Sequence, residues 1–86
     1  MPGNLIAGSV APGQNKLTWT ASVDDGGVGG YSIFRDGRMI AVVKRGTEYV
    51  DAFNLKSAQT YQYSVSAFDA MANASDRTAP KSVKAQ

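Results

Sequence analysis

Hydrophobic positions recur at every second residue along most of the chain. In the clearest run, Tyr61, Tyr63, Val65 and Ala67 fall on one side and Gln62, Ser64, Ser66 and Phe68 on the other. Successive side chains of an extended strand point to opposite faces, so this run predicts a strand with one buried face. The same pattern predicts strands over 4–10, 16–21, 31–35, 38–44 and 47–51, and a weaker one around 80–83. Leu5, Ala7, Leu17, Trp19, Ala21, Tyr31 and Ile33 are expected to point inward, against outward Lys16, Thr18, Thr20, Ser32 and Phe34. No stretch repeats apolar residues at spacings of three, four and seven over ten or more positions, so no helix is predicted.

The residues between these runs are turn formers. Pro12-Gly13 and Arg45-Gly46 mark turns, and Asp36-Gly37 is a two-residue hairpin signal for a type I′ turn. Residues 24–30 hold four glycines in seven positions, too entropically costly for a regular element, and are read as loop. A polar loop is expected over 69–76, and Pro80, without an amide donor, places the last strand at a sheet edge. Seven strands with turns about every 8–12 residues fit a sandwich or a small barrel. The inward set of Leu5, Leu17, Trp19, Tyr31, Ile33, Tyr49, Leu55, Tyr61, Tyr63 and Val65 supplies its core. At about 1.5–3 kcal/mol for each large buried side chain, such a core offsets the ordering cost of a small domain.

Length and composition narrow this further. The 86 residues make a single domain, 1–86. There is no Cys, so disulfides and thiolate metal sites are excluded. The net charge of +2 comes from scattered residues and gives no argument for nucleic acid. No apolar run approaches the ~18–20 residues that a spanning helix needs. Residues 1–10 lack the basic start and apolar core of a secretory leader.

Together these residues resemble the fibronectin type III family. Leu17-Thr18-Trp19 is similar to its second-strand signature, in which Trp fills the centre of the core. Leu55 followed by Tyr61, Tyr63, Val65 and Ala67 resembles the family's corner and sixth strand. There the first Tyr forms the tyrosine corner, its hydroxyl bonding back to upstream backbone, a role the resemblance assigns to Tyr61. Residues 19–25 and 30–33, and the loop over 69–75, look like the bacterial branch. The likeness covers about residues 5–83, with departures at Ala72, where the family has Gly, and in the longer 52–54 segment. It implies a seven-stranded, two-sheet antiparallel sandwich of immunoglobulin type. It also implies an accessory, monomeric module of a larger extracellular bacterial protein such as a carbohydrate-active enzyme, with Trp19, Tyr61 and Leu55 as structural residues.

Candidate chemistry is sparse. Without His or Cys the common nucleophile–base constellations cannot be built. Asp24-Asp25 is a carboxylate pair, but glycosidases hold two carboxylates about 5–10 Å apart across a cleft, and adjacent loop residues offer none. The pair is expected to order its own turn, and no catalytic residue or cofactor is assigned. Asp24, Asp25, Asp69, Asn73 and Asp76 supply oxygens for Ca²⁺ at one end of a sandwich, but lack a dense ligand spacing, and no metal site is assigned. Asn73-Ala74-Ser75 is formally a glycosylation acceptor.

Two rings break the pattern. Phe34 and Phe68 fall on the outer face, where polar residues belong, and form the candidate binding surface for a polysaccharide or a partner protein. Arg35, Arg38, Lys44 and Arg45 gather around the 36–37 hairpin, with Asp36, Glu48 and Asp51 near enough in sequence to neutralise them. Neighbouring domains are the expected partners; the alternative is a polysaccharide met through Phe34 and Phe68, or another protein met through that outer face or the loops at 24–30 and 69–76, with no role for nucleic acid or membrane.

Overall fold

The computed structural model describes residues 3–21, 29–52, 54–69, 74–75 and 77–86. The described residues form seven strands: β1 (Gly3–Ala11), β2 (Gln14–Thr20), β3 (Gly30–Arg35), β4 (Arg38–Val43), β5 (Glu48–Asp51), β6 (Thr60–Phe68) and β7 (Lys81–Lys84). They pair antiparallel in two sheets, β1-β2-β5 and β4-β3-β6-β7. Leu5, Leu17, Trp19, Tyr31, Ile33, Tyr61, Tyr63, Val65, Ala67, Val83 and Ala85 fill the space between them. Tyr49 and Leu55, expected in the core, are half-buried and pack against it.

The turns follow backbone chemistry. Asp36 and Gly37 both have positive φ, 52° and 85°, as a type I′ turn requires. That turn is also fixed to the next strand: the Asp36 N–H donates to the Gln62 carbonyl at 2.8 Å, and the Gln62 N–H donates to Asp36 Oδ1 at 3.0 Å. Beyond the hairpin the β3–β4 ladder slips, pairing Ile33 with Ala41 but Phe34 with Met39. Ile40 is the extra residue of this bulge, and Ile40 and Ala41 both pack against the core.

Two expectations change. Ala21 is exposed, because β2 ends at Thr20 and the inward alternation stops with Trp19. Gly30 is not loop but the first residue of β3, buried and paired with Phe68. A Cβ there would stand 2.6 Å from Phe68 Cζ and 2.9 Å from the Val43 carbonyl oxygen, so close packing requires glycine at this position.

The last strand is short for a visible reason. β7 pairs only with the first half of β6. Along the second half, hydroxyls take the place of backbone acceptors: Thr78 Oγ1 accepts from the Val65 N–H and Ser75 Oγ from the Ala67 N–H. The Thr78 and Ser75 N–H groups return bonds to the Val65 and Ala67 carbonyls, both at 2.8 Å. The module is elongated, 41 × 19 × 19 Å. Gly3 pairs with Thr20 at one end, whereas Gln86 reaches the Ser9 carbonyl near the other. At ~3.3 Å per residue, Gly3 and Ser9 lie about 20 Å apart along β1.

Candidate functional surfaces

The outer face of the four-stranded sheet carries the two rings singled out by pattern. Phe34 stands opposite Met39 on β4 and Ser64 on β6, and Phe68 stands opposite Gly30. Neither ring is fully exposed. The Arg77 guanidinium lies over Phe34, 3.7 Å from the ring centroid, a cation–π stack that occupies one face of the ring. Phe68 is seated against Gly30. Ser64 and Ser66, outward by alternation, are buried, so this face is already covered in its middle. Met39 at its margin is 60% exposed.

Trp19 lies in the core edge-on to Tyr31, ring centroids 5.2 Å apart. The Tyr61 hydroxyl accepts the Lys56 N–H at 2.8 Å, a bond that ties β6 to the backbone just after Leu55. The Arg35 guanidinium sits 5.3 Å from the Tyr61 ring centroid.

Pattern reading did not anticipate the polar end of the core. Asp51 and Asn15 are fully buried and paired across β5 and β2. The Tyr63 hydroxyl donates to Asp51 Oδ2 at 2.6 Å and accepts from Asn15 Nδ2 at 3.0 Å. Arg35 Nη1 donates to the same Asp51 oxygen at 2.8 Å. One carboxylate thus joins strands of both sheets through charge-assisted bonds. Burial, reinforced by the bond to Asp51, pushes the Tyr63 hydroxyl well above its ordinary pKa. The sequence signal was available: Asn15 and Asp51 are polar at positions whose neighbours alternate, but a polar residue at a strand end reads as a turn residue.

The carboxylates near the hairpin are committed elsewhere. Asp36 accepts from Gln62, Glu48 pairs with Lys16 at 3.4 Å, and Asp51 holds Arg35. The expected neutralisation therefore reaches Arg35 alone; Arg38, Lys44 and Arg45 are exposed and make no ion pair among the described residues. Asp24, Asp25, Asn73 and Asp76 lie outside the described residues, and with them the carboxylate pair of the 24–30 loop and most of the oxygen-ligand set.

A three-stranded and a four-stranded antiparallel sheet facing each other across one core define an immunoglobulin-like β-sandwich. Within that class the chain is a fibronectin type III-like module. Its fold matches that of the fibronectin(III)-like modules of Clostridium thermocellum CbhA, with TM-score 0.76 and 26% identity, over 100% of this chain and 97% of that one. Chitinase C of Streptomyces lividans is 40% identical over 81 residues, which is 94% of this chain and 12% of the chitinase. Exoglucanase B of Cellulomonas fimi is 35% identical over 83 residues, 96% of this chain and 7% of that protein. The chain thus spans a small fraction of the curated relatives it matches. No family model matches it.

Proposed function

We propose that the chain is a non-catalytic accessory module of a larger, secreted bacterial protein that acts on polysaccharide, and that it sets the distance between its neighbours. The observation that carries this reading is its size against its relatives. Nearly all of the chain aligns with 12% of a chitinase and 7% of an exoglucanase, a segment of domain size in each. The shape supports it: Gly3 and Gln86 lie toward opposite ends of an elongated sandwich. The roles proposed for Trp19, Tyr61 and Leu55 are structural: they hold the two sheets and the 55–61 corner in one arrangement, which a spacer needs.

The alternative is a binding module that uses Phe34 and Phe68. Flat sugar recognition needs a free ring face, and Arg77 occupies one face of Phe34. The test is depletion of the purified module by insoluble chitin, cellulose and starch, beside a Phe34→Ala/Phe68→Ala variant. The spacer reading expects neither protein to be depleted. Depletion of the wild type but not the variant would replace it with a sugar-binding role.

A further inference from the structure

We propose that the open edge of β4 is a docking site for an extended acidic polypeptide segment, which adds to the four-stranded sheet as a further strand. This goes beyond the spacer reading and does not depend on it.

β4 is an edge strand, and among the described residues its backbone pairs only with β3. An edge strand presents unpaired N–H and C=O groups that an extended chain can match. Met39 and Val42 on this strand are 60% and 47% exposed, large apolar side chains that the described residues cover only in part. Beyond the Ile40 bulge the pairing is regular again, Ala41 to Val43 against Ile33 to Tyr31. The usable ladder therefore lies at the end that runs into Lys44 and Arg45.

Charge selects the occupant. Arg38 opens the strand, and Lys44 and Arg45 follow it. Of the three carboxylates nearest in sequence, Glu48 and Asp51 pair with Lys16 and Arg35, while Asp36 faces the Gln62 N–H on the hairpin turn and makes no ion pair with these cations among the described residues. The edge is thus cationic at both ends and apolar between. A second copy pairing antiparallel would bring Arg38 against Lys44 and Arg45, so like charges oppose self-association. An acidic strand meets opposite charge at both ends, apolar contact at Met39 and Val42, and a backbone ladder. An anionic polysaccharide would satisfy the charge alone.

The experiment uses the 86-residue chain and a labelled eight-residue peptide alternating glutamate and valine. Its comparators are the lysine–valine peptide, a copy N-methylated at alternate amides, and polygalacturonate. Saturable binding of the glutamate peptide is expected, with slowed amide exchange confined to 41–44. A Lys44→Glu/Arg45→Glu variant should lose at least about tenfold in affinity for it, since each 1.4 kcal/mol is tenfold. That variant should gain the lysine–valine peptide, a readout that unfolding cannot mimic. The proposal is overturned if the glutamate peptide does not bind or the N-methylated copy binds equally well. It is also overturned if polygalacturonate alone binds, which would make the patch a polysaccharide contact. Depletion by neutral polysaccharides bears on the spacer reading and leaves this result untouched.

Discussion

The two ends of the core solve the same problem with different chemistry. At one end Leu5, Trp19, Tyr31 and Ala67 bury apolar surface against one another. At the other, Arg35, Asp51, Tyr63 and Asn15 bury a hydrogen-bonded network around one carboxylate. Apolar burial is nondirectional and tolerates small shifts of sheet against sheet. The network does not: its bonds of 2.6–3.0 Å fix Tyr63 and Arg35 of one sheet against Asp51 and Asn15 of the other. A sandwich held only by the apolar end would have its sheets positioned less sharply than one pinned at a point.

The comparison breaks most visibly at the centre of each end. Trp19→Ala should destabilise by about 3–5 kcal/mol, as large aromatic truncations in cores do. Asp51→Ala should cost a similar amount, about 3–5 kcal/mol, because it leaves Arg35 and the Tyr63 hydroxyl without their shared acceptor. Urea unfolding followed by Trp19 fluorescence reads the second variant, and far-UV circular dichroism both. A cost below about 1 kcal/mol for Asp51→Ala would mean that water reaches the network and that the polar end pins nothing.

How much of this was legible in the sequence follows the same division. The apolar end and most of the strands are written in period-two alternation, which depends on which face is dry; β4, with its Ile40 bulge, is the exception. The Asp36-Gly37 turn was legible because positive φ at two successive residues restricts the residue types that fit. The polar end was not, because Tyr63 looks like any inward aromatic. Its partners Asn15 and Asp51 sit near strand ends, and only tertiary pairing brings them together. The outer rings were legible as exceptions to alternation. Their covering was not, since Arg77 reaches Phe34 from more than 40 residues away in sequence.

Tyr61 and Tyr63 sharpen the comparison, because they share one strand and one face. Tyr63→Phe should cost about 1.5–3 kcal/mol, the range for hydrogen bonds to charged groups. Tyr61→Phe should cost about 0.5–1.5 kcal/mol, since its partner is a neutral backbone amide. Alkaline pH tests Tyr63 in a second way. Burial and the Asp51 bond raise the folded-state pKa of Tyr63 above its unfolded value near 10. Its contribution is therefore fully present below about pH 10 and declines as pH rises beyond it, because only the unfolded state releases the proton. Urea midpoints against pH should fall more steeply above pH 10 in the wild type than in Tyr63→Phe. Equal slopes would place Tyr63 in contact with solvent.

The smallest effect has the opposite sign and lies beyond the polar end, in the corner that Tyr61 closes. Ala58 has φ of 66°, a left-handed conformation that places an alanine Cβ too near the carbonyl oxygen. The turn is held there by the Ala58 N–H on the Ala85 carbonyl and the Ala85 N–H on the Gln59 carbonyl, both at 2.9 Å. Glycine relieves the steric strain but adds freedom to the unfolded chain, and the two effects compete. Strain of about 1–2 kcal/mol per left-handed residue exceeds the entropy loss of about 0.4–1 kcal/mol, so Ala58→Gly should stabilise by about 0.5–1 kcal/mol. The gain should appear as a higher urea midpoint with an unchanged slope. A lower midpoint would mean that the left-handed turn at Ala58 stores less strain than the freedom glycine adds to the unfolded chain.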